Sequence, residues 1–154
     1  MNQETPTTKG EISRRELLKM AVPLGTVRLG GGQCTGCGLC AAVCPTHALT
    51  ASAVGADGTY RLSFRHGTCV ACNECVAICP EHCLVLERGA SLEERPPEVL
   101  CENEMVGCPE CGKPVGSRAM INKVRALVPA KQADAGFELC PECKARAQFR
   151  LAGR

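Results

Sequence analysis

The sequence predicts an α+β chain in two parts, a small domain built from an internal repeat and a C-terminal module drawn together by paired cysteines. Three observations carry that prediction. Residues 34–49 lay over 69–84 so that four cysteines, a proline, His47 with His82 and Leu49 with Leu84 coincide, the mark of two copies of one supersecondary unit. Apolar residues alternate at period two along Thr59–Arg65 and recur at helical period along Ser117–Val128. The 154 residues also hold fourteen cysteines but only three Phe, one Tyr and no Trp, so the large aromatic anchors of an ordinary core are scarce.

Taken in order, residues 1–24 form an N-terminal tail and segment. Met1 to Gly10 read as a polar disordered tail. Ser13-Arg14-Arg15-Glu16-Leu17-Leu18-Lys19 resembles the twin-arginine export signal. The apolar stretch that follows, Met20–Val27, is short, contains Pro23 and Gly25, and ends at Arg28 with no small-residue cleavage site. The expectation is therefore an imitation of the signal rather than a working one. As a short amphipathic helix from Ser13 it would pack Leu17, Leu18 and Met20 against another subunit, in a protein of the cytoplasm.

Residues 25–88 hold the repeat. Each copy should comprise a loop, a short helix around its fourth cysteine and a strand. Val54-Gly55-Ala56-Asp57-Gly58 is a turn signal between the copies, and Tyr60, Leu62 and Phe64 should share the buried face of a strand. Residues 89–100 read as an acidic, proline-containing linker. Residues 101–154 complete the chain with one expected helix, capped by Ser117 and ended by Pro129, whose Met120, Ile121, Val124, Leu127 and Val128 would pack on the second cysteine site.

Net charge is +2, unevenly spread: residues 81–110 carry eight acidic and two basic side chains, residues 112–154 nine basic and three acidic. The ordinary reading is solvated surface; the sharper one is a bipolar molecule whose ends dock on different partners. Arg118, Lys123, Arg125, Lys144, Arg146, Arg150 and Arg154 could meet nucleic acid, but only Phe137 and Phe149 accompany them as stacking aromatics, so that partner is not expected. No stretch is long and apolar enough for a membrane-spanning helix, and no nucleophile–base constellation or substrate motif suggests catalysis by this chain alone.

The cysteines are the informative residues. Cys34, Cys37, Cys40 and Cys44 before Pro45 read C-x-x-C-x-x-C-x-x-x-C-P, and Cys69, Cys72, Cys75 and Cys79 before Pro80 read it again. Two-residue gaps wrap three thiolates around one face of a four-iron cube, backbone N–H groups of the same loop can face the sulfurs, and the fourth ligand must come from further away. A disulfide framework would not favour the same tight run twice, and zinc prefers paired knuckles to three ligands in a row. The run is the one found in bacterial ferredoxins, and residues 25–88 resemble the two-cluster, 2 × [4Fe–4S] member of that family, with its α+β fold and pseudo-two-fold repeat. The resemblance implies that each loop takes its fourth ligand from the other run: Cys34, Cys37, Cys40 and Cys79 for one cluster, Cys69, Cys72, Cys75 and Cys44 for the other.

Outside those sets, His47 and His82 read as solvent-facing residues and Cys83 as a small buried hydrophobe. Cys108-Pro109-Glu110-Cys111 and Cys140-Pro141-Glu142-Cys143 are two knuckles, a four-thiolate tetrahedral site for zinc first and mononuclear iron second. A third cluster using Cys101 or Cys83 has no support from spacing. A ferredoxin domain with a zinc-ribbon-like extension resembles the accessory iron–sulfur subunits of bacterial formate- and hydrogen-metabolising complexes. That resemblance implies a non-catalytic electron-transfer subunit partnered by catalytic and other redox subunits of an anaerobic oxidoreductase. The rivals are a freely diffusing ferredoxin, and a non-redox module in which metals only shape a surface for protein or nucleic acid.

Overall fold

The computed structural model describes residues 24–52, 58–89, 95–129 and 136–152 of the chain. The twin-arginine-like segment, the polar tail before it and most of the turn at 54–58 lie outside the described residues. Within them the order is β1 (Gly25–Leu29), α1 (Leu39–Ala42), β2 (Leu49–Ser52), β3 (Thr59–Phe64), a short 3-10 turn (His66–Thr68), α2 (Glu74–Ala77), β4 (Leu84–Arg88), β5 (Glu98–Gly107), β6 (Pro114–Ser117), α3 (Arg118–Leu127) and α4 (Pro141–Ala152).

Two antiparallel sheets result: β1 with β4, and β2, β3, β5 and β6 side by side in that order. β1 lies against the last strand of the repeat, Gly25 opposite Arg88 and Leu29 opposite Leu84. The first copy sends β2 against β3, Leu49 opposite Phe64. Along β3 the alternation is as expected: Tyr60, Leu62 and Phe64 are buried and the residues between them are half-buried. These three join Val27, Leu49, Leu84 and the cysteines of the repeat in one core. The short helices surround the third cysteine of each run, Cys40 and Cys75, rather than the fourth. The tight loop leaves room for a single helical turn, and the following proline cannot be accommodated inside one.

The second half departs further from expectation. β5 begins at Glu98, so the stretch expected as a linker over 89–100 ends inside a strand that crosses into the C-terminal part. It pairs with β3 on one edge and β6 on the other. A register shift between Leu62 and Ser63, where Cys101 and Val99 are the successive partners, accommodates the strand. Among the described residues there are two helices beyond residue 101, not one, because Pro141 supplies a preorganised first position for α4. α3 packs on β5 and β6 instead of on the second cysteine site. Only Ile121 of its apolar stripe is buried, while Val124 and Leu127 are exposed.

The uneven charges meet each other. Arg118 binds Glu104 at 3.0 Å, Arg125 binds Glu138 at 3.0 Å, and Lys113 binds Glu142 at 2.7 Å; Lys123 binds Glu81. The acidic and basic stretches thus pair partly within the molecule, which weakens the bipolar reading. Exposed pairs of this kind add little stability, and of the four only Lys123–Glu81 joins the C-terminal part to the repeat.

Ser117 does more. Its hydroxyl donates to the Thr35 carbonyl and accepts from Met120 N–H at 3.1 Å, capping α3 while gripping the first cysteine loop from a fully buried position. Ser117→Ala should cost about 0.5–2 kcal/mol, the range for a lost N-cap, towards the upper end because a buried carbonyl loses its donor. A lowered denaturant midpoint of oxygen-free protein would register it; an unchanged midpoint would show that the grip contributes nothing.

Candidate metal centres

The two cysteine loops share a backbone shape that their sequences do not advertise. Gly36 and Gly38 of the first copy have φ of 68° and 76°, and their counterparts Ala71 and Asn73 have 53° and 72°. Left-handed backbone is natural for glycine and unfavourable for alanine, so the second loop holds this shape against local preference. His47 and His82 are also matched, at 52° and 48°, and both are exposed. They sit at the turn after each Cys-Pro and serve the chain direction. The left-handed turns bring N–H groups to the sulfurs: Ala41 donates to Cys40, Ala71 to Cys69 and Val76 to Cys75.

Two cavities of similar size open beside these loops. One is lined by Cys34, Cys37, Cys40, Cys79 and Cys83, with Tyr60 and Leu62 as part of its wall. The other is lined by Cys44, Cys69, Cys72 and Cys75, walled mainly by Val27, Leu49, Phe64 and Leu86. Each cavity therefore gathers the first three cysteines of one run and the last of the other.

Electrostatics separate the third cysteine from the fourth. Burial pushes the Cys40 thiol up to about 12, reinforced by the neighbouring Cys34 and Cys37. Burial, then Cys69 and Cys72, push Cys75 up to about 11. For Cys44 burial also pulls upward, but N–H groups of Leu49, Thr46 and Ala48 outweigh it and lower the thiol. Cys79 repeats this balance with donors from Cys83, Glu81 and His82. The donors two and four residues on, Thr46 and Ala48 for Cys44 and Glu81 and Cys83 for Cys79, coincide because each fourth cysteine precedes the same turn.

In the C-terminal part Cys108, Cys111, Cys140 and Cys143 converge, their sulfurs all within 4.8 Å of one another. Cys111 and Cys140 sulfurs are 3.5 Å apart. A tetrahedral zinc with Zn–S near 2.3 Å spans sulfurs about 3.8 Å apart, so the four thiols suit one such ion. The first knuckle closes through Gly112 N–H to the Cys108 carbonyl and Cys108 N–H to the Lys113 carbonyl, both 2.8 Å. The second is the entry to α4. A backbone N–H from Cys140, followed by those of Glu110 and Cys111, brings the Cys108 thiol down to about 6 despite burial. Burial and its three partners raise Cys143.

Three further residues stand at the first site, Cys83 in the cavity wall and Cys101 and Asn103 behind Cys34. Cys83 is buried, its sulfur 3.6 Å from Cys79 and raised to about 12 by burial first and Cys79 next. Cys101 reaches Cys34 from β5 and is likewise raised to about 12, by burial first. Asn103 donates to the Cys101 sulfur at 3.0 Å and to the Cys34 carbonyl at 3.3 Å. Only the strand register brings β5 there, so no local motif announced Cys101 or Asn103.

Soft thiolate donors with inward N–H groups are the chemistry an iron–sulfur cluster requires. The Tyr60 hydroxyl, buried with no hydrogen-bond partner among the described residues, is a further polar group left for something the polypeptide does not supply. Residues 33–83 match the family model of the 4Fe-4S dicluster domain. This stretch is an iron–sulfur domain of ferredoxin type. The match spans both cysteine runs and ends before Cys101, leaving the four-thiol site outside it. No curated protein matches the chain. Iron–sulfur electron transfer is what such a domain implies, and no described helix is long and apolar enough to cross a membrane.

Proposed function

We propose that the chain is a non-catalytic electron-relay subunit of a larger oxidoreductase, carrying two [4Fe–4S] clusters and a structural metal ion. Cys34, Cys37, Cys40 and Cys79 hold one cluster, and Cys69, Cys72, Cys75 and Cys44 hold the other. The observation that carries this reading is the composition of the two cavities, each combining three thiols of one run with the fourth of the other. When bound, each cluster supplies a site that accepts and returns one electron. The chain's own residues clamp it through thiolates, aim N–H groups at the fourth ligands, and exclude water with Leu62 on one side and Val27, Phe64 and Leu86 on the other.

Exchange of the fourth ligand has a direct test. Cys79→Ser should reproduce the spectroscopic lesion of Cys37→Ser in EPR of dithionite-reduced, oxygen-free protein, and Cys44→Ser that of Cys72→Ser. If Cys79→Ser instead matches Cys72→Ser, each loop keeps its own four cysteines.

Zinc is the ion assigned to Cys108, Cys111, Cys140 and Cys143, on the tight convergence of four thiols from two knuckles. Cys108→Ser or Cys140→Ser should lose one equivalent of zinc in elemental analysis and keep iron and acid-labile sulfide. Loss of sulfide in the same variants would refute a separate metal module, and iron in place of zinc would make the site mononuclear iron.

Subunit status rests on the C-terminal part, built onto the first loop through Ser117 and Thr35 and beyond the needs of a small carrier. Fractionation of native extract should place the protein well above its own 16.3 kDa. Full carrier activity in a monomer-sized peak would favour a freely diffusing ferredoxin.

A further inference from the structure

β3 runs past both cavities and presents a different ring to each. Phe64 lines the cavity of Cys44, Cys69, Cys72 and Cys75. Four residues earlier, Tyr60 lines the cavity of Cys34, Cys37, Cys40 and Cys79. Tyr60 is 4 % exposed, and its hydroxyl is the buried side-chain polar atom with no hydrogen-bond partner among the described residues. The ring is held fast. A Cβ added at Gly36 would lie 3.0 Å from Tyr60 Cδ1, so the loop backbone packs closely on the ring. Asn103, opposite Tyr60 on β5, spends its amide on Cys101 and on the Cys34 carbonyl instead.

Buried hydroxyls are almost always paired, because an unpaired one forfeits its bonds to water without return. A hydroxyl fixed in the wall of a thiol-lined cavity, and unpaired with protein, is matched to an acceptor inside that cavity. We propose that Tyr60 donates a hydrogen bond to a sulfur of the cluster held by Cys34, Cys37, Cys40 and Cys79, and thereby raises that cluster's reduction potential above that of its twin. This rests on the ligand assignment made above.

The sign follows from charge. One-electron reduction adds negative charge to the cluster, shared with its sulfurs, and no bond forms or breaks in the polypeptide. A donor at sulfur therefore stabilises the reduced form more than the oxidised one, and hydrogen bonds to the sulfurs are among the factors that set such potentials. Phe64 has no proton to offer its own cavity, where the one side-chain hydroxyl in the wall, Thr46, lies 3.8 Å from the Cys44 sulfur and is not left unpaired. Electrons would then collect on the Tyr60 side, giving the relay a direction that two identical ligand sets could not provide.

The experiment is an EPR-monitored potentiometric titration of full-length protein loaded without oxygen. In Tyr60→Phe one midpoint should fall by roughly 59 mV, a tenfold change in a one-electron reduction equilibrium, while the other midpoint and the iron and sulfide contents stay put. The midpoint that moves should be the one whose signal Cys37→Ser damages. Since Tyr60 is the single tyrosine of the chain, growth on 3-fluorotyrosine labels it alone, with a more acidic hydroxyl and nearly native shape. That protein should show the same midpoint raised and a fluorine hyperfine coupling to the reduced cluster. If the substitution prevents loading, the fluorinated protein still decides the matter. Two intact clusters with unmoved midpoints and no fluorine coupling would overturn the inference alone. Protein with no iron and sulfide on the first eight cysteines would overturn the ligand assignment beneath it.

Discussion

Gathering buried thiols is the constraint on which the rest of this structure depends. A thiolate in an apolar wall, with two others beside it, is disfavoured by desolvation and by like charge together. Cys40, pushed up to about 12 by burial, with Cys34 and Cys37 adding to it, is the plain case. A polypeptide alone can answer only by keeping these groups protonated or by opening the loops. Cationic metal inverts the preference, because it needs the deprotonated sulfur and cancels the repulsion. Ligation then releases protons and contributes to folding directly. In a chain with three Phe, one Tyr and no Trp, sulfur takes over part of the work that aromatic carbon does elsewhere: Cys40, Cys69, Cys75, Cys79 and Cys83 are buried members of the core of the repeat.

That constraint explains why the C-terminal part is joined so firmly to the repeat. A loop whose shape is set by left-handed residues at Gly36 and Gly38 has few backbone hydrogen bonds of its own to hold it. β5 supplies Asn103 to the Cys34 carbonyl, and Ser117 supplies its hydroxyl to the Thr35 carbonyl. Thr35 in turn donates to Glu81 at 3.2 Å, which also receives Lys123. One chain of polar contacts thus runs from α3 through the first loop to the turn after Cys79. The first site is braced by a second layer of protein, whereas Cys72 of the other site is exposed.

Features fixed by short-range chemistry were legible in the sequence. The repeat, the alternation of Tyr60, Leu62 and Phe64, the Ser117 cap and the meeting of Cys108, Cys111, Cys140 and Cys143 all depend on spacing within a few residues or on ligand number. Features that depend on sheet register were not. Nothing local says that Glu98–Leu100 extends into a strand, since charged and proline-rich sequence reads as linker and β-propensity is a matter of partners. The same blindness hid Cys101 and Asn103, which reach Cys34 only once β5 lies on β3. It also misplaced α3: its apolar stripe suggested a buried face, but the short β6 offers contact to barely one turn, leaving Val124 and Leu127 in solvent. α4 was missed because Pro141 was read only as a knuckle residue, though a proline at the first helical position is equally a helix start.

Duplication yields two cradles with the same ligands, the same left-handed turns and N–H donors two and four residues after each fourth cysteine. Any energetic difference between the sites must therefore come from what surrounds them. The surroundings do differ. Cys83 replaces Ala48, Cys101 and Asn103 approach the first run at Cys34, and Tyr60 lines the first cavity and not the second. The other cavity is walled mainly by Val27, Leu49, Phe64 and Leu86, and its polar side chains are Asn73 and Thr46, whose hydroxyl lies 3.8 Å from the Cys44 sulfur. Apart from Cys83, the additions at the first site come from strands outside the duplicated segments, where change does not disturb ligand geometry. A duplicated site that must work as an ordered pair is best differentiated there, because the repeat can then keep both cradles sound while β3 and β5 set them apart.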